Sequence, residues 1–374
     1  MIPYVFTILA ATILTYFAQV ARENSKIIAG IISAFAILIL VFIAGVRDYN
    51  IGTDFLFYCY GHFKNAVLSD DYFEYIFHKC DGEWLYGLIV YATSAFSNDA
   101  HSVMFTLNLV TISLIYAACW RKNDVVPMTI MFALIMIYFY IPTLQYIRQS
   151  LSLGGILLAA TYYKGRWGGT PFWIWSVLSI GMHRSAIIVM AFIIFTHKLS
   201  EGSDKQRLKR IILICIGMAI TYFAFKAIIT ILCESIPFFE KYLLYVSKEG
   251  NRIFHGEFNK TQFLYSIICI VFALSSKRME WLNAKETFIL EVYVAGIVFS
   301  IFMGAILFPL ARLGIAFYPF SFYYIIKGLL YSPRISLPTR IVAISALFIY
   351  WLYFMLRSYS TNGLLIYSSE IIGI

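Results

Sequence analysis

The chain has 374 residues, of which 61% are hydrophobic, 18% aromatic and only 13% charged. Soluble globular domains carry about 25% charged residues, so this composition excludes a soluble protein. The formal net charge of +9 would suggest a nucleic-acid partner in a soluble chain, but in a membrane protein an excess of cations more often reflects helix orientation. We therefore expect one integral membrane domain over residues 1–374, without a nucleic-acid partner.

Apolar runs of about 20 residues predict the membrane-spanning helices of an all-α polytopic protein. In chain order these runs lie at 3–20, 27–46, 101–119, 125–144, 211–232, 286–306, 313–330 and 341–357. Two shorter runs, 149–163 and 262–275, bring the expected total to about ten full spans. Further runs at 84–96, 171–181 and 186–196 are too short to cross alone. They predict re-entrant or broken half-helices, which a bilayer tolerates where protein or water covers the backbone.

Lysine and arginine side chains orient the predicted helices. If the loop that carries Arg22 and Lys26 is cytoplasmic and the spans alternate from there, 17 of the 29 cations fall inside and ten fall outside. The remaining two lie within apolar runs. This arrangement places both termini outside and predicts outer loops at 47–83 and 233–261.

The outer loop 47–83 combines charges with aromatic rings. It begins with the sequence RDYNIGTD at 47–54 and continues with aromatic residues at 55, 57, 58, 60 and 63. Such a mixture suits a sugar, because pyranose C–H groups stack on rings while carboxylates accept hydrogen bonds from hydroxyls. An aromatic belt at the membrane interface explains the same residues equally well.

An acidic pair, Asp81 and Glu83, ends this loop just before the short apolar run that begins at Trp84. Two carboxylates at this spacing can hold a divalent metal or position a general base. The simpler interpretation is a solvated helix start, where acidic side chains interact favourably with the helix dipole.

Arg148 lies between two apolar runs, and Gln149, Ser150 and Ser152 continue the polar streak into the second run. A cation with hydrogen-bond donors at a helix N-terminus forms an anion site, because the unpaired backbone amides point at the same ligand. An interfacial arginine anchor is the alternative. We favour the anion site, since an anchor does not need these polar neighbours.

His183 and Arg184 interrupt the apolar stretch 171–196. Ionisable groups at membrane depth are costly, and they are functional by default. A break between two half-helices that face a cavity would solvate them. The alternative is a single long helix in which Arg184 forms a structural salt bridge.

Three arginines fall at the outer ends of predicted helices, namely Arg47, Arg148 and Arg312. Guanidinium groups bind phosphate oxygens through paired N–H donors. We therefore expect a site for a multiply charged anion such as a diphosphate. The sequence contains no Walker motif, no GxGxxG that opens a helix and no zinc signature, so we expect neither nucleotide-driven chemistry nor a cofactor. We assign no metal ligand, and a metal at Asp81 and Glu83 stays an open alternative.

The order of these motifs resembles the EpsG/Wzy family, whose members are polytopic polymerases of O-antigen, capsule or exopolysaccharide repeat units. The resemblance covers roughly residues 40–325 and rests on Gly52-Thr53-Asp54, Glu83, the sequence IRQSL at 147–151, His183 and Arg312. It implies a GT-C-like glycosyltransferase in the bacterial cytoplasmic (inner) membrane, with an active site that faces the periplasm or exterior. The implied partners are an undecaprenyl-diphosphate-linked glycan donor and acceptor, the lipid bilayer and, optionally, a chain-length regulator.

The resemblance also implies roles for individual residues in binding the donor. Departure of a lipid diphosphate requires stabilisation of its negative charge, which fixed guanidinium groups provide without a metal. We expect Arg148 and Arg312 to hold the diphosphate, with Arg47 and Gln149 in support.

The acceptor hydroxyl must lose a proton as it attacks, and a carboxylate or an imidazole can take it. We expect Asp54 or His183 to be this base, and Glu83 is the third choice.

Two rival functions use the same lipid-linked glycan. An O-antigen ligase transfers it to the lipid A core and typically has one large periplasmic loop late in the chain. The late loop here, 233–261, has only about 29 residues, which favours a polymerase. A flippase would show internal pseudo-symmetry and cations along a path from both sides, and the sequence shows neither.

Overall fold

The structure is a computed structural model. It describes residues 2–52, 54–122, 125–163, 168–199, 263–269, 288–304, 312–333, 335–360, 364 and 366–373, with isolated positions between 206 and 235. These residues form helices and turns, and none of them lies in a β-strand, which confirms the all-α class for this part of the chain. The predicted span 211–232 and the loop 233–261 lie almost wholly outside the described residues.

Six of the described helices are long and apolar enough to cross a membrane. They are Ile2–Asn24, Lys26–Gly45, His101–Arg121, Met128–Gln145, Arg312–Tyr331 and Leu337–Arg357. Each overlaps a long apolar run predicted from the sequence, as expected for a multi-pass membrane protein. The run at 286–306 forms a shorter helix, Phe288–Gly304, and the run at 149–163 forms Ile147–Thr161. The total of about ten spans and the GT-C-like architecture stay predictions.

The three short apolar runs form separate helices, Trp84–Ser94, Thr170–Met182 and Ala186–Leu199. The stretch 171–196 is therefore interrupted, and the alternative of a single long helix is wrong. A helix as short as Thr170–Met182 measures only about 20 Å, whereas the hydrocarbon core of a bilayer is about 30 Å thick.

The described residues pack as two compact units, Met1–Ile187 with Pro333–Ile374, and Ile188–Ser332. The first unit contains α1 Ile2–Asn24, α2 Lys26–Gly45, α3 Tyr60–Val67, α4 Tyr72–Glu74, α5 Trp84–Ser94, α6 His101–Arg121, α7 Met128–Gln145, α8 Ile147–Thr161, α9 Thr170–Met182 and, near the C-terminus, α13 Leu337–Ser360. Helix α10, Ala186–Leu199, begins in the last residues of the 1–187 part of the first unit. The second unit contains most of α10, α11 Phe288–Gly304, a 3₁₀ turn Arg312–Ala316 and α12 Tyr318–Tyr331.

Within the first unit, α8 occupies a central place between α6 and α9. Helix α2 packs against α1 and α6, and α7 packs against α1, α8 and α13. Helices α8 and α9 approach closely because Gly155 has no side chain, and a Cβ there would overlap the Ser179 hydroxyl. Large apolar side chains on α1, α2 and α13, such as Phe6, Ile27 and Ile349, remain exposed, as expected for helices that face lipid.

The predicted outer loop 47–83 is folded rather than extended. The π-helical turn Phe55–Cys59 leads directly into α3, and α4 leads directly into a second π-helical turn, Tyr75–Lys79. Helix α3 and the second π-helical turn pack on α5, and α5 in turn packs on α6 and α9. The loop is therefore held against the helices that carry the polar residues singled out by the sequence. Single π-helical turns are rare and occur often at functional sites.

Candidate active site

Arg148 is positioned by a break between α7 and α8. Pro142 lies in the last turns of α7, and the helix ends at Gln145. Tyr146 leaves helical geometry with φ −110° and ψ 61°, and α8 begins at the next residue. The Tyr146 amide and the Ser150 hydroxyl both donate to the Pro142 carbonyl, at 2.7 and 3.2 Å. Arg148 consequently lies in the first turn of α8.

His183 is positioned by the break between α9 and α10. It ends α9 in extended geometry, with φ −161° and ψ 131°, while its amide still donates to the Ser179 carbonyl at 3.0 Å. Helix α10 begins at Ala186, so His183 and Arg184 occupy a non-helical connection. The predicted interruption of this apolar stretch is confirmed.

Glu83 is positioned by a tight turn before α5. Asp81 and Gly82 both have positive φ values, 52° and 69°. Glycine adopts this geometry without strain, and aspartate is among the few other residues that enter it. The Gly82 amide donates to the Ile76 carbonyl at 3.0 Å, which ties the turn to the second π-helical segment. Glu83 then immediately precedes α5.

These three breaks bring four side chains together, and we call this group the Glu83 cluster: Asp81, Glu83, Arg148 and His183. Glu83 is its centre, because Oε1 lies 2.5 Å from His183 Nδ1 and Oε2 lies 3.1 Å from Arg148 Nη1. Arg148 Nη1 also donates to Asp81 Oδ2 at 2.9 Å. The Glu83 side chain is only 5% exposed and that of Arg148 13%, whereas Asp81 is 59% exposed.

The guanidinium of Arg148 is held by rings as well as by carboxylates. Its Cζ atom lies 4.7 Å from the ring centre of Tyr58 and 5.8 Å from that of Tyr86. Only Nη1 bonds the carboxylates, and Nε and Nη2 bond no acceptor among the described residues. Since arginine has five N–H donors, several remain for a ligand.

Arg184 and His62 border the Glu83 cluster. Arg184 Nη2 donates to the Asp81 backbone carbonyl at 2.5 Å and thereby fastens the turn that carries Glu83. His62 Nε2 lies 3.8 Å from Asp81 Oδ2, and its Nδ1 lies 3.2 Å from the Tyr86 hydroxyl. Burial lowers the pKa of His62, and the positive charge of Arg148 lowers it further. His62 is therefore a neutral hydrogen-bonding partner at neutral pH.

Glu83 is ionised at neutral pH although it is buried. Burial alone would raise its pKa, but the hydrogen bond from His183 and the positive charge of Arg148 outweigh it, and the pKa is held below its usual range. An ionised carboxylate only accepts hydrogen bonds, so His183 Nδ1 must be the donor. In neutral imidazole this leaves Nε2 with a free electron pair. A base held by a third group in this manner is the arrangement used for proton abstraction in many enzymes.

The lowered pKa of Glu83 predicts a pH dependence of stability. A depressed carboxyl pKa contributes stability above the unfolded-state value of about 4.3, and this stability is lost as the pH falls through the lower folded-state value. Between pH 7 and pH 3 the thermal midpoint of the detergent-solubilised protein should therefore fall more steeply for the wild type than for Glu83→Gln, which cannot titrate. Parallel curves for the two proteins would contradict the ion-pair assignment.

Gly181 allows the two halves of the cluster to meet. It lies two residues before His183, and a Cβ at this position would overlap the indole of Trp84, the neighbour of Glu83. Gly181→Val should therefore separate Glu83 from His183 and destabilise the fold by about 1–3 kcal/mol through overpacking. Activity and the thermal midpoint should both fall. Gly61→Ala is the matched control, because a Cβ at Gly61 meets nothing within 4 Å; wild-type activity in Gly181→Val would show that this contact is dispensable.

Arg47 is placed differently from the sequence-based expectation of an exposed diphosphate ligand. Its side chain is 0% exposed, and it donates to the backbone carbonyls of Ala44, Ile51 at 3.1 Å and Leu144 at 3.2 Å. Gly52 approaches the same Leu144 carbonyl, and its φ of 94° suits glycine alone. These contacts tie the end of α2 to the end of α7. In this conformation a ligand has no access to Arg47, and its role in binding stays a prediction.

The other predicted site residues are found in three places. Asp54 is half-buried at the start of the first π-helical turn and takes no part in the contacts of the Glu83 cluster described above. Gln149 is half-buried in the first turn of α8, next to Arg148. Arg312 begins the 3₁₀ turn of the second unit. Their binding or catalytic roles stay predictions.

Sequence reasoning did not single out Tyr58, His62 and Tyr86 as neighbours of Arg148. Tyr58 belongs to the aromatic set of the outer loop, but nothing in its spacing points to a guanidinium 90 residues later. Ser150 departs from the expected polar surface after Arg148, because it is buried at 2% exposure and its hydroxyl donates to the Pro142 carbonyl. Among the described residues no three His, Cys, Asp or Glu side chains are arranged as the ligands of a metal ion.

Comparison with known families agrees with the motifs on which the resemblance rests. A model described as the EpsG family matches residues 30–369. The chain belongs to the EpsG family. The match is wider than the range 40–325 expected from the motifs, and it contains every predicted site residue. No curated protein and no solved structure gives a significant match to the chain.

Membership in the EpsG family indicates a polysaccharide polymerase, an enzyme of the glycosyltransferase type, in a membrane. The helices that are long and apolar enough to cross a bilayer agree with that location. Within this EpsG-family chain, the Glu83 cluster is the place where described charged side chains from distant parts of the sequence converge. It is therefore our candidate active site.

Proposed function

We propose that the protein polymerises oligosaccharide repeat units carried on undecaprenyl diphosphate into O-antigen, capsule or exopolysaccharide. The reaction would occur at the outer face of the cytoplasmic membrane, in a GT-C-like fold of about ten spans. The observation that carries the proposal is the geometry of Glu83, which holds His183 with one carboxylate oxygen and Arg148 with the other. One group in this arrangement can take a proton while its neighbour binds an anion.

His183 is the base in this proposal. The acceptor hydroxyl attacks the anomeric carbon of the donor sugar, and its proton passes to Nε2 of His183. Glu83 fixes the tautomer through Nδ1 and stabilises the imidazolium that forms. The hydrogen bond between Glu83 and His183 favours His183 over Asp54 as the base, and it makes Glu83 the residue that orients the base.

Arg148 stabilises the departing group. As the new glycosidic bond forms, the bond between the anomeric carbon and the phosphate oxygen breaks, and the electron pair leaves with undecaprenyl diphosphate. The donors of Arg148 that do not contact the carboxylates can bind this growing negative charge, and preorganised donors of this kind supply large transition-state stabilisation. Arg312 and Gln149 remain candidates for further diphosphate contacts.

The proposed function is tested by incubating purified protein with one synthetic lipid-linked repeat unit and analysing the products by gel or mass spectrometry. A ladder of products that differ by one repeat unit is expected. A single transfer to another acceptor such as lipid A core would indicate a ligase instead. Transbilayer movement of the substrate without any new bond would indicate a flippase.

A further inference from the structure

A cavity with aromatic and polar walls lies apart from the Glu83 cluster. This cavity of about 310 Å³ is lined by residues between Tyr49 and Leu68 and by residues of the connection between α5 and α6. Its lining includes the rings of Tyr49, Tyr60 and Phe63 together with the polar side chains of Lys64 and Asp99. Ligand sites start at about 300 Å³, so this cavity suits a small group such as one sugar ring.

The aromatic wall of this cavity is fixed by ring contacts. Tyr49 stacks on His101 with ring centres 4.2 Å apart and on Phe55 at 5.4 Å, and it lies 5.6 Å from Tyr60. The Lys64 ammonium lies over the Tyr60 ring at 4.4 Å. Because Phe55 and His101 already stack on Tyr49, that ring supports the wall and Tyr60 is the ring left for a ligand. Rings held in this way lose little conformational freedom when a ligand binds.

The polar wall is built around Asp99. Its Oδ1 accepts hydrogen bonds of 2.9 Å from the Tyr49 hydroxyl, the His101 amide and His101 Nδ1. Its Oδ2 accepts none from the described residues, and the side chain is 59% exposed. Burial would raise the pKa of Asp99, but the hydrogen bonds from His101 and Tyr49 outweigh it and keep the pKa below its usual range. Oδ2 is thus a charged acceptor that faces solvent.

We infer that this cavity is a glycan subsite that binds one uncharged sugar residue. The Tyr60 ring beside an ammonium and a carboxylate matches the C–H face and the hydroxyls of a pyranose. A lipid phosphate fits less well, because Asp99 would repel it. The inference rests on the proposed function, which identifies the ligand as part of a repeat-unit glycan. It adds a binding site outside the Glu83 cluster.

Helix α3 relates the cavity to the Glu83 cluster. Tyr60, Phe63, Lys64 and Val67 follow the i, i+3, i+4, i+7 pattern of one helix face, and all four line the cavity. His62 lies on another face of the same helix, where it contacts Asp81 of the cluster. A helix with its side chains is about 10 Å across. The bound sugar would therefore not be the reacting one, but a unit farther along the same glycan chain.

The test measures binding of a lipid-free repeat-unit oligosaccharide, released from the host polysaccharide, to the full-length protein by saturation-transfer NMR. The protein should be in nanodiscs, because alkyl maltoside detergents themselves carry sugars. We expect Lys64→Ala and Tyr60→Ala each to weaken binding by about tenfold, the loss of one charged hydrogen bond or one ring surface. Lys79→Ala is the matched control, since Lys79 lies in the same segment but pairs with Glu74 at 3.2 Å.

Arg148→Ala separates this inference from the proposed function. We expect this variant to bind the oligosaccharide as the wild type does, even though glycosyl transfer is lost. Binding without a ladder of polymer products would therefore support the subsite. Loss of binding in Arg148→Ala with normal binding in Lys64→Ala and Tyr60→Ala would overturn it. Failure of the wild type to bind the oligosaccharide would also overturn the inference, as would binding that anionic lipids abolish. Lys64 is exposed, so Lys64→Ala remains a valid test even if Tyr60→Ala does not fold.

Discussion

Arg148→Ala should reduce polymerisation by about 10²–10³-fold, the effect of removing one preorganised donor from a developing negative charge. The reason is that Arg148 is the arginine of the Glu83 cluster, and the donors that do not bond the carboxylates are available for the departing diphosphate. The ladder assay with a lipid-linked repeat unit measures this loss directly. Products of normal length and yield from this variant would contradict the assignment of Arg148 to the leaving group.

The Arg148 experiment needs a control for folding. Removal of Arg148 leaves Glu83 buried without its ion-pair partner, and breaking a buried pair in this way costs about 3–5 kcal/mol. Arg148→Lys keeps the charge but loses the planar, multi-donor geometry, so we expect a stable protein with activity well below that of the wild type. Thermal midpoints of both variants distinguish loss of chemistry from loss of fold.

Arg121→Ala is the matched control for the removal of an arginine. Arg121 stacks on Tyr162 at 3.6 Å and bonds Thr161 at 3.0 Å, at the end of α8 opposite to Arg148. At 1.5 Å per residue the two ends of α8 are about 20 Å apart. We expect this variant to polymerise normally.

The helical architecture could be predicted because lipid imposes it. An apolar run in a bilayer must satisfy its backbone hydrogen bonds internally, so run length alone located α1, α2, α6, α7 and α13. The breaks were also indicated, by His183 and Arg184 within one apolar stretch and by the polar streak after Pro142. Counting charges along the sequence did not predict the environment of Arg47. The count shows where a cation lies in the chain, but it does not show which groups the side chain bonds. The structure buries Arg47 against carbonyls that a sequence does not reveal.

The composition of the candidate site was predicted more fully than its arrangement. Glu83, Arg148 and His183 were all singled out, but Glu83 ranked last as a base because its partners lie 65 and 100 residues away. The packing of α5 on α9, through Gly181 and Trp84, and of α8 on α9 brings them into contact. The sequence predicts an anion site from Arg148 and the polar residues that follow it. On a helix, consecutive residues point about 100° apart, so Ser150 turns into the core instead.

His183→Ala should reduce polymerisation by about 10²–10⁴-fold, the usual contribution of a general base. Glu83→Gln should also lose activity, because an amide no longer fixes the Nδ1–H tautomer or stabilises the imidazolium. The two variants should differ in one respect. Added imidazole should restore part of the activity of His183→Ala, where it can occupy the vacated space, but should not restore that of Glu83→Gln.

The controls for the base assignment come from the segment 47–83. His78→Ala removes an exposed imidazole from the second π-helical turn and should leave activity unchanged. Asp54→Asn tests the competing base, and under this mechanism it should retain more activity than His183→Ala. The opposite order, with a nearly inactive Asp54→Asn and an active His183→Ala, would transfer the role to Asp54. It would leave Glu83 and His183 as a structural pair, because a buried carboxylate still needs a donor whether or not that donor moves a proton.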